Sequence, residues 1–81
     1  MDRDEVLAVV RDRAVELLGV APEVVQETTS FIDDLGIDSL SLVEYTLELE
    51  DTFDVELPEE EVTAVSHFGG LVDLVLRQQR L

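Results

Sequence analysis

Apolar residues recur at helical spacing along this chain, and turn-forming residues cut the pattern into separate segments. Val6, Val10, Ala14, Leu17 and Leu18 share one face of a first helix. Asp2 and Glu5 have the spacing of a capping box at its start, and Gly19 and Pro22 stop it. A long connection, Val20 to Asp38, carries Val24, Val25, Phe31, Ile32 and Leu35, which are expected to pin it to the core. Connections this long are uncommon in compact domains and often carry function. A second helix is expected from about Ser39 to Phe53, followed by a connector through Asp54, Val55, Glu56, Leu57 and Pro58. Pro58 with Glu59, Glu60 and Glu61 starts a short third helix, where acids favour the positive end of the dipole. Ser66 is placed to cap a last helix whose Phe68, Leu71, Val72 and Val75 face inward. Gly69 and Gly70 weaken its first turn by roughly 1 kcal/mol each relative to Ala. No segment alternates with period two between hairpin turns. The fold class predicted is all-α: a four-helix bundle with three main helices, a short third helix and a long loop between the first two.

With 81 residues, the chain is expected to form a single domain, 1–81. A chain this short buries a modest fraction of its surface, so its stability should lie toward the low end of roughly 5–15 kcal/mol. The chain has no cysteine, which removes disulfides, thiolate metal sites and a thiol nucleophile from consideration. No apolar run approaches the roughly 18–20 residues needed to span a bilayer. The start, Met1-Asp2-Arg3-Asp4-Glu5, lacks the basic and apolar regions of a signal peptide. A soluble cytoplasmic protein is the expectation.

The formal net charge is −15, and its distribution is uneven. The basic residues Arg3, Arg11, Arg13, Arg77 and Arg80 all lie near the ends; from Ala14 to Leu76 there are sixteen Asp or Glu and no Lys or Arg. This stretch projects a negative field that repels nucleic acid and anionic membranes and attracts basic protein surfaces. An acidic, soluble surface with no partner is the simpler meaning of the same charge.

The second helix carries two apolar stripes. Leu42, Tyr45, Leu49 and Phe53 form the expected core face. Leu40, Val43 and Leu47 form another, roughly opposite, with Glu44, Glu50 and Asp51 beside or beneath it. A helix in a small bundle needs one buried stripe. The second either packs under a neighbouring segment or is an exposed docking face, apolar at its centre and acidic at its rim.

Above the upper end of that stripe lies Ser39, in the run Asp33-Asp34-Leu35-Gly36-Ile37-Asp38-Ser39-Leu40. Gly36 permits positive φ, so the loop can turn sharply into the helix. Either Asp38 or Ser39 can cap the first free N–H groups, and a purely structural role accounts for both residue types. The functional alternative is a serine esterified to a phosphate-bearing group, lying at the positive end of the helix dipole.

Leu35-Gly36-Ile37-Asp38-Ser39-Leu40 resembles the phosphopantetheine attachment motif of acyl carrier proteins, whose central element is D-S-L. The similarity runs without an evident gap from Ser30-Phe31 through Val43-Glu44, Leu49-Glu50-Asp51-Thr52-Phe53 and Leu57-Pro58-Glu59-Glu60 to Leu71-Val72-Asp73. With the Leu18-Gly19-Val20 exit of the first helix, it covers nearly the whole chain. The resemblance implies a carrier, not an enzyme. A phosphopantetheinyl transferase, assisted by magnesium, would move 4′-phosphopantetheine from coenzyme A onto Ser39, with Asp38 as the motif neighbour. The thiol of that group would carry acyl intermediates as thioesters, consistent with a chain lacking cysteine. Ketosynthase, acyltransferase and other synthase enzymes are the implied partners, docking through basic patches. Glu44, Glu50 and Asp51 match the acidic contacts, Leu40, Val43 and Leu47 the apolar ones, and Glu56 and Glu60 secondary acidic ones. The protein is expected to be a monomer.

Two departures refine the expectation. Ser41 follows Leu40, where many fatty-acid carriers have Asp, so one acidic contact is missing. Peptidyl carriers usually have Gly-Gly before the residue preceding the serine; Ile37 breaks that pattern and favours an acyl carrier. Arginine without lysine suggests a GC-rich coding bias and weakly supports a polyketide-type carrier over a fatty-acid carrier, an alternative that stays open. A freestanding protein is the expectation, with an excised synthase domain the alternative.

Other chemistries fit less well. Asp33, Asp34 and Asp38 match EF-hand spacing only in part, so no dedicated metal site is expected. A hydrolase would need a base for Ser39; the single histidine, His67, is distant in sequence and there is no G-x-S-x-G elbow. His67 is expected as a partly exposed residue at a helix start. Glu59, Glu60 and Glu61 form a solvated helix start rather than an acid–base pair. The alternatives that stay open are a peptidyl or aminoacyl carrier, an unmodified acidic interaction module and a small hydrolase.

Overall fold

The computed structural model describes residues Met1–Gln79; Arg80 lies outside the described residues. Its helices are α1 (Arg3–Leu18), α2 (Ser39–Phe53), α3 (Glu59–Ala64) and α4 (Phe68–Gln79), with one 3₁₀ turn, Pro22–Val24, in the long connection. α1 begins with the expected capping box: the Glu5 amide donates to Asp2 Oδ1 at 2.9 Å and the Asp2 amide to Glu5 Oε1 at 3.1 Å. Gly19 ends it.

The core lies where α1, α2 and α4 meet. Val6, Val10 and Ala14 of α1 pack with Leu42, Tyr45 and Leu49 of α2 and with Phe68, Leu71, Val72, Leu74 and Val75 of α4. Phe31 closes the core from the long connection, its ring edge-on to Phe68 with centroids 4.6 Å apart. Tyr45 is buried on the same face and donates its hydroxyl proton to the Val10 carbonyl at 2.6 Å. Burial raises its pKa, so the phenol stays protonated.

The long connection is held from three sides. The Arg11 guanidinium donates to the Val25 carbonyl at 2.9 and 3.2 Å. Arg3 pairs with Glu27 and with Asp73 of α4, and these carboxylates raise the guanidinium pKa further. Main-chain bonds run to the start of α4: Phe31 N to Ser66 O at 3.0 Å, Phe68 N to Thr29 O at 3.1 Å and Gly69 N to Glu27 O at 2.9 Å. Ser30 and His67 form an isolated antiparallel bridge, and no strand occurs among the described residues.

These bonds correct two sequence expectations. Ser66 does not cap α4, because loop carbonyls take the donors at the helix start; its hydroxyl lies 3.3 Å from His67 Nδ1 instead. Gly69 also does more than weaken the helix, since a Cβ there would come within 3.0 Å of Glu27 O. Of the apolar loop residues, Val25 and Phe31 are buried and Leu35 packs against the core, but Val24 and Ile32 are exposed. Leu17, on the α1 face predicted to be inward, is exposed as well. The core side of α1 is already filled by Val10 and Ala14, and the 3₁₀ turn aims Val24 away while Val25 turns in.

Candidate functional site

The site is built where the long connection enters α2. Gly36 has φ +66°, a left-handed conformation that costs a residue with a Cβ. Its amide donates to Ile32 O at 2.9 Å, and the Ile37 amide donates to Phe31 O at 3.0 Å. Ile37 is buried, so the turn is bolted to the core two residues before the helix begins.

Asp38 is the N-cap. Its Oδ1 accepts the Ser41 amide at 2.7 Å, and its carbonyl accepts the Leu42 amide at 3.0 Å. The Ser41 amide holds the Asp38 carboxyl below the usual aspartate range. Ser39 is therefore free of the capping task. It is the first residue of α2, exposed, and its hydroxyl makes no side-chain hydrogen bond among the described residues. Among the described residues no imidazole or carboxylate is bonded to it as a base.

A groove of about 340 Å³ opens beside Ser39, lined by the apolar Phe31, Ile32, Leu42 and Val65 together with Ser30, Asp33, Ser39, Thr63 and Ser66. Ile32, 59% exposed, is a wall of this groove rather than a core residue. Sequence reasoning missed Ile32, Thr63 and Val65 as neighbours of Ser39. The apolar Ile32 beside Asp33 and Asp34 was a signal, but the approach of the α3–α4 connector cannot be read from local spacing.

Of the two stripes of α2, Leu42, Tyr45, Leu49 and Phe53 are buried, as is Thr46. Leu40 is 67% and Leu47 55% exposed, while Val43 is half-buried. The second stripe is thus an outward crest and not an internal contact. Glu44 and Asp51 stand exposed along it. Glu50 is half-buried and differs from them: its Oε2 accepts the Leu57 amide at 2.9 Å, holding the α2–α3 connector. Glu56 and Glu60 are exposed on the connector and on α3. A second groove, about 200 Å³, separates α2 from α3 and is lined by Val43, Thr46, Leu47, Glu50, Leu57, Glu59 and Val62. The structure brings Leu40, Val43, Glu44, Leu47, Glu50 and Asp51 together on one side of α2, below Ser39.

Among the described residues no group of three or more His, Asp or Glu is placed to hold a metal ion. Asp34 accepts the Ser30 amide at 2.7 Å, so it and Asp38 both serve the main chain. Among the described residues no helix is long and apolar enough to cross a membrane.

Comparison with known proteins agrees with this arrangement. The family model of the phosphopantetheine attachment site matches residues 8–75. The acyl carrier protein of Rubrobacter xylanophilus is 39% identical over 79 residues, covering 98% of this chain and 98% of that protein. The acyl carrier protein of Sulfurovum sp. is 38% identical over 66 residues, 82% of this chain and 88% of that one. Among solved structures, the acyl carrier protein of Enterococcus faecalis superposes with a TM-score of 0.79 at 32% identity, covering 96% of this chain and 99% of the other. Proteins of this kind are carriers rather than enzymes, and their attachment domain holds 4′-phosphopantetheine covalently. An exposed, unpartnered serine hydroxyl beside an open groove fits such a group. The four-helix fold, the freed serine at the start of α2 and the relatives spanning nearly the whole chain agree: this protein belongs to the acyl carrier proteins of the phosphopantetheine-attachment family.

Proposed function

We propose that Ser39 is the attachment residue and that the chain carries acyl intermediates as thioesters on 4′-phosphopantetheine in a polyketide-type pathway. The observation that carries the reading is the division of labour between neighbours: Asp38 holds the helix cap, and Ser39 presents a free hydroxyl at the same helix start. A phosphodiester on Ser39 sits at the positive end of the α2 dipole, which partly offsets the acidic surroundings. The polyketide assignment is supported by Ser41 in place of an acid and by the lysine-free composition.

The exposed crest of α2 is the proposed partner surface. Leu40, Val43 and Leu47 supply its apolar centre, Glu44, Glu50 and Asp51 its acidic rim, and Glu56 and Glu60 a secondary acidic area. Basic patches of the phosphopantetheinyl transferase, ketosynthase and acyltransferase are its complements. The protein acts as a cytoplasmic monomer and forms one domain over 1–81.

Intact mass tests the reading. After incubation with coenzyme A, magnesium and a broad-specificity phosphopantetheinyl transferase, the chain gains one phosphopantetheine, and Ser39→Ala gains none while keeping its helical content. Loading that persists in Ser39→Ala places the site elsewhere. A folded chain that never loads is an acidic interaction module.

A further inference from the structure

The crest of α2 is flanked by a groove on each side, and the one facing α1 shares only Glu44 with the partner surface proposed above. It encloses about 210 Å³ and is lined by Leu17 and Leu18 from the end of α1 and by Ser41, Glu44, Tyr45 and Glu48 from α2. Its two walls are chemically different. Leu17 is a large apolar side chain left 44% exposed. Glu44 and Glu48 stand one turn apart on the opposite wall, both exposed.

Like charges at this spacing repel, and nothing within the described residues relieves them. The cations of α1 are engaged elsewhere: Arg3 with Glu27 and Asp73, Arg13 with Glu16, and Arg11 with the Val25 carbonyl. An exposed leucine facing a pair of uncompensated carboxylates across a concave space suits one type of side chain. That side chain has an aliphatic stem and a cationic head, so its stem lies on Leu17 and Leu18 while its head reaches Glu44 and Glu48. The groove begins at Ser41, two residues after Ser39. An enzyme that covers Ser39 from the α1 side has this groove directly beneath it.

We infer that the Leu17–Glu48 groove receives an arginine or lysine side chain from the basic face of the transferase that modifies Ser39. Leu17 and Glu48 are then docking determinants additional to the α2 crest. The inference rests on the carrier reading and extends its partner surface to α1.

Steady-state loading by a broad-specificity phosphopantetheinyl transferase, with coenzyme A and magnesium, tests it on Glu48→Lys and Leu17→Ser. Glu48→Lys should lower kcat/KM about fivefold or more at low salt, through KM, with kcat within about twofold; the deficit should shrink at high salt. Leu17→Ser should lower kcat/KM by a smaller factor at both ionic strengths, because its contribution is apolar. Fold damage is separable by sign. Glu48→Lys replaces a repulsive pair with an attractive one to Glu44, so its melting temperature should rise while its loading falls. If both variants load like the unchanged chain while Glu44→Lys loads poorly, docking uses the crest alone and the inference is overturned. If Glu48→Lys loses loading together with melting temperature, a structural role for Glu48 replaces it. If the unchanged chain never loads, the carrier reading fails and takes this inference with it.

Discussion

Glu50 Oε2 accepts the Leu57 amide at 2.9 Å, so an acid on the proposed docking face also fastens the connector between α2 and α3. Glu44 and Asp51, its neighbours along the helix, hold no comparable bond among the described residues. Charge on this face therefore has two origins: side chains used by the fold and side chains left to solvent.

Substitutions should separate them. Glu50→Ala should lose about 1 kcal/mol in urea unfolding, because the Leu57 amide is left without its acceptor. Glu50→Gln keeps an acceptor oxygen and should recover most of that loss. Asp51→Ala should stay within about 0.5 kcal/mol of the unchanged protein. Equal losses for Glu50→Ala and Asp51→Ala would deny Glu50 its structural role.

The Asp38 cap makes a pH prediction. Its carboxyl is held below the usual range of about 4 by the Ser41 amide, so the folded state binds its proton more weakly than the unfolded state does. The stabilisation is present in full above the unfolded pKa and is lost as pH falls through the lower, folded pKa. Asp38→Asn removes this dependence. The difference in melting temperature between the two proteins should be constant from neutral pH to about 5 and change only below about 4. A difference that changes between pH 6 and 8 would have another cause.

Sixteen acids between Ala14 and Leu76 without a Lys or Arg imply self-repulsion in the folded state. Added salt or magnesium should raise the melting temperature, and a flat response to magnesium would contradict this. The same field predicts that Glu44→Lys combined with Asp51→Lys weakens partner binding far more at low salt than at high salt. Equal loss at both ionic strengths would mean that packing along Leu40 and Leu47 governs docking.

Gly69 offers a test in which local and tertiary effects have opposite signs. By helix propensity alone, Gly69→Ala should stabilise α4 by up to about 1 kcal/mol. The new Cβ, however, would stand 3.0 Å from Glu27 O, a main-chain atom that also accepts the Gly69 amide at 2.9 Å. Net destabilisation in urea unfolding is expected, and a gain in stability would show that the loop yields without cost.

The sequence by itself determined the helices, their order, the core face of α2 and the turn that presents Ser39. Each depends on residues close in the chain: apolar spacing in Val6, Val10 and Ala14, the capping box of Asp2 and Glu5, and the left-handed Gly36 before the Asp38 cap. Local rules could not say whether Leu40 and Leu47 are buried, nor whether Asp38 or Ser39 caps the helix. They also mistook the fates of Val24, Ile32 and Ser66. Those outcomes were decided by the tertiary structure, because they depend on which distant segment arrives. Main-chain carbonyls at Glu27 and Thr29 reach the start of α4 and displace Ser66 from its cap. Thr63 and Val65 approach Ile32 and make it a groove wall, while no described segment covers Leu40 and Leu47, leaving an apolar crest beside Ser39.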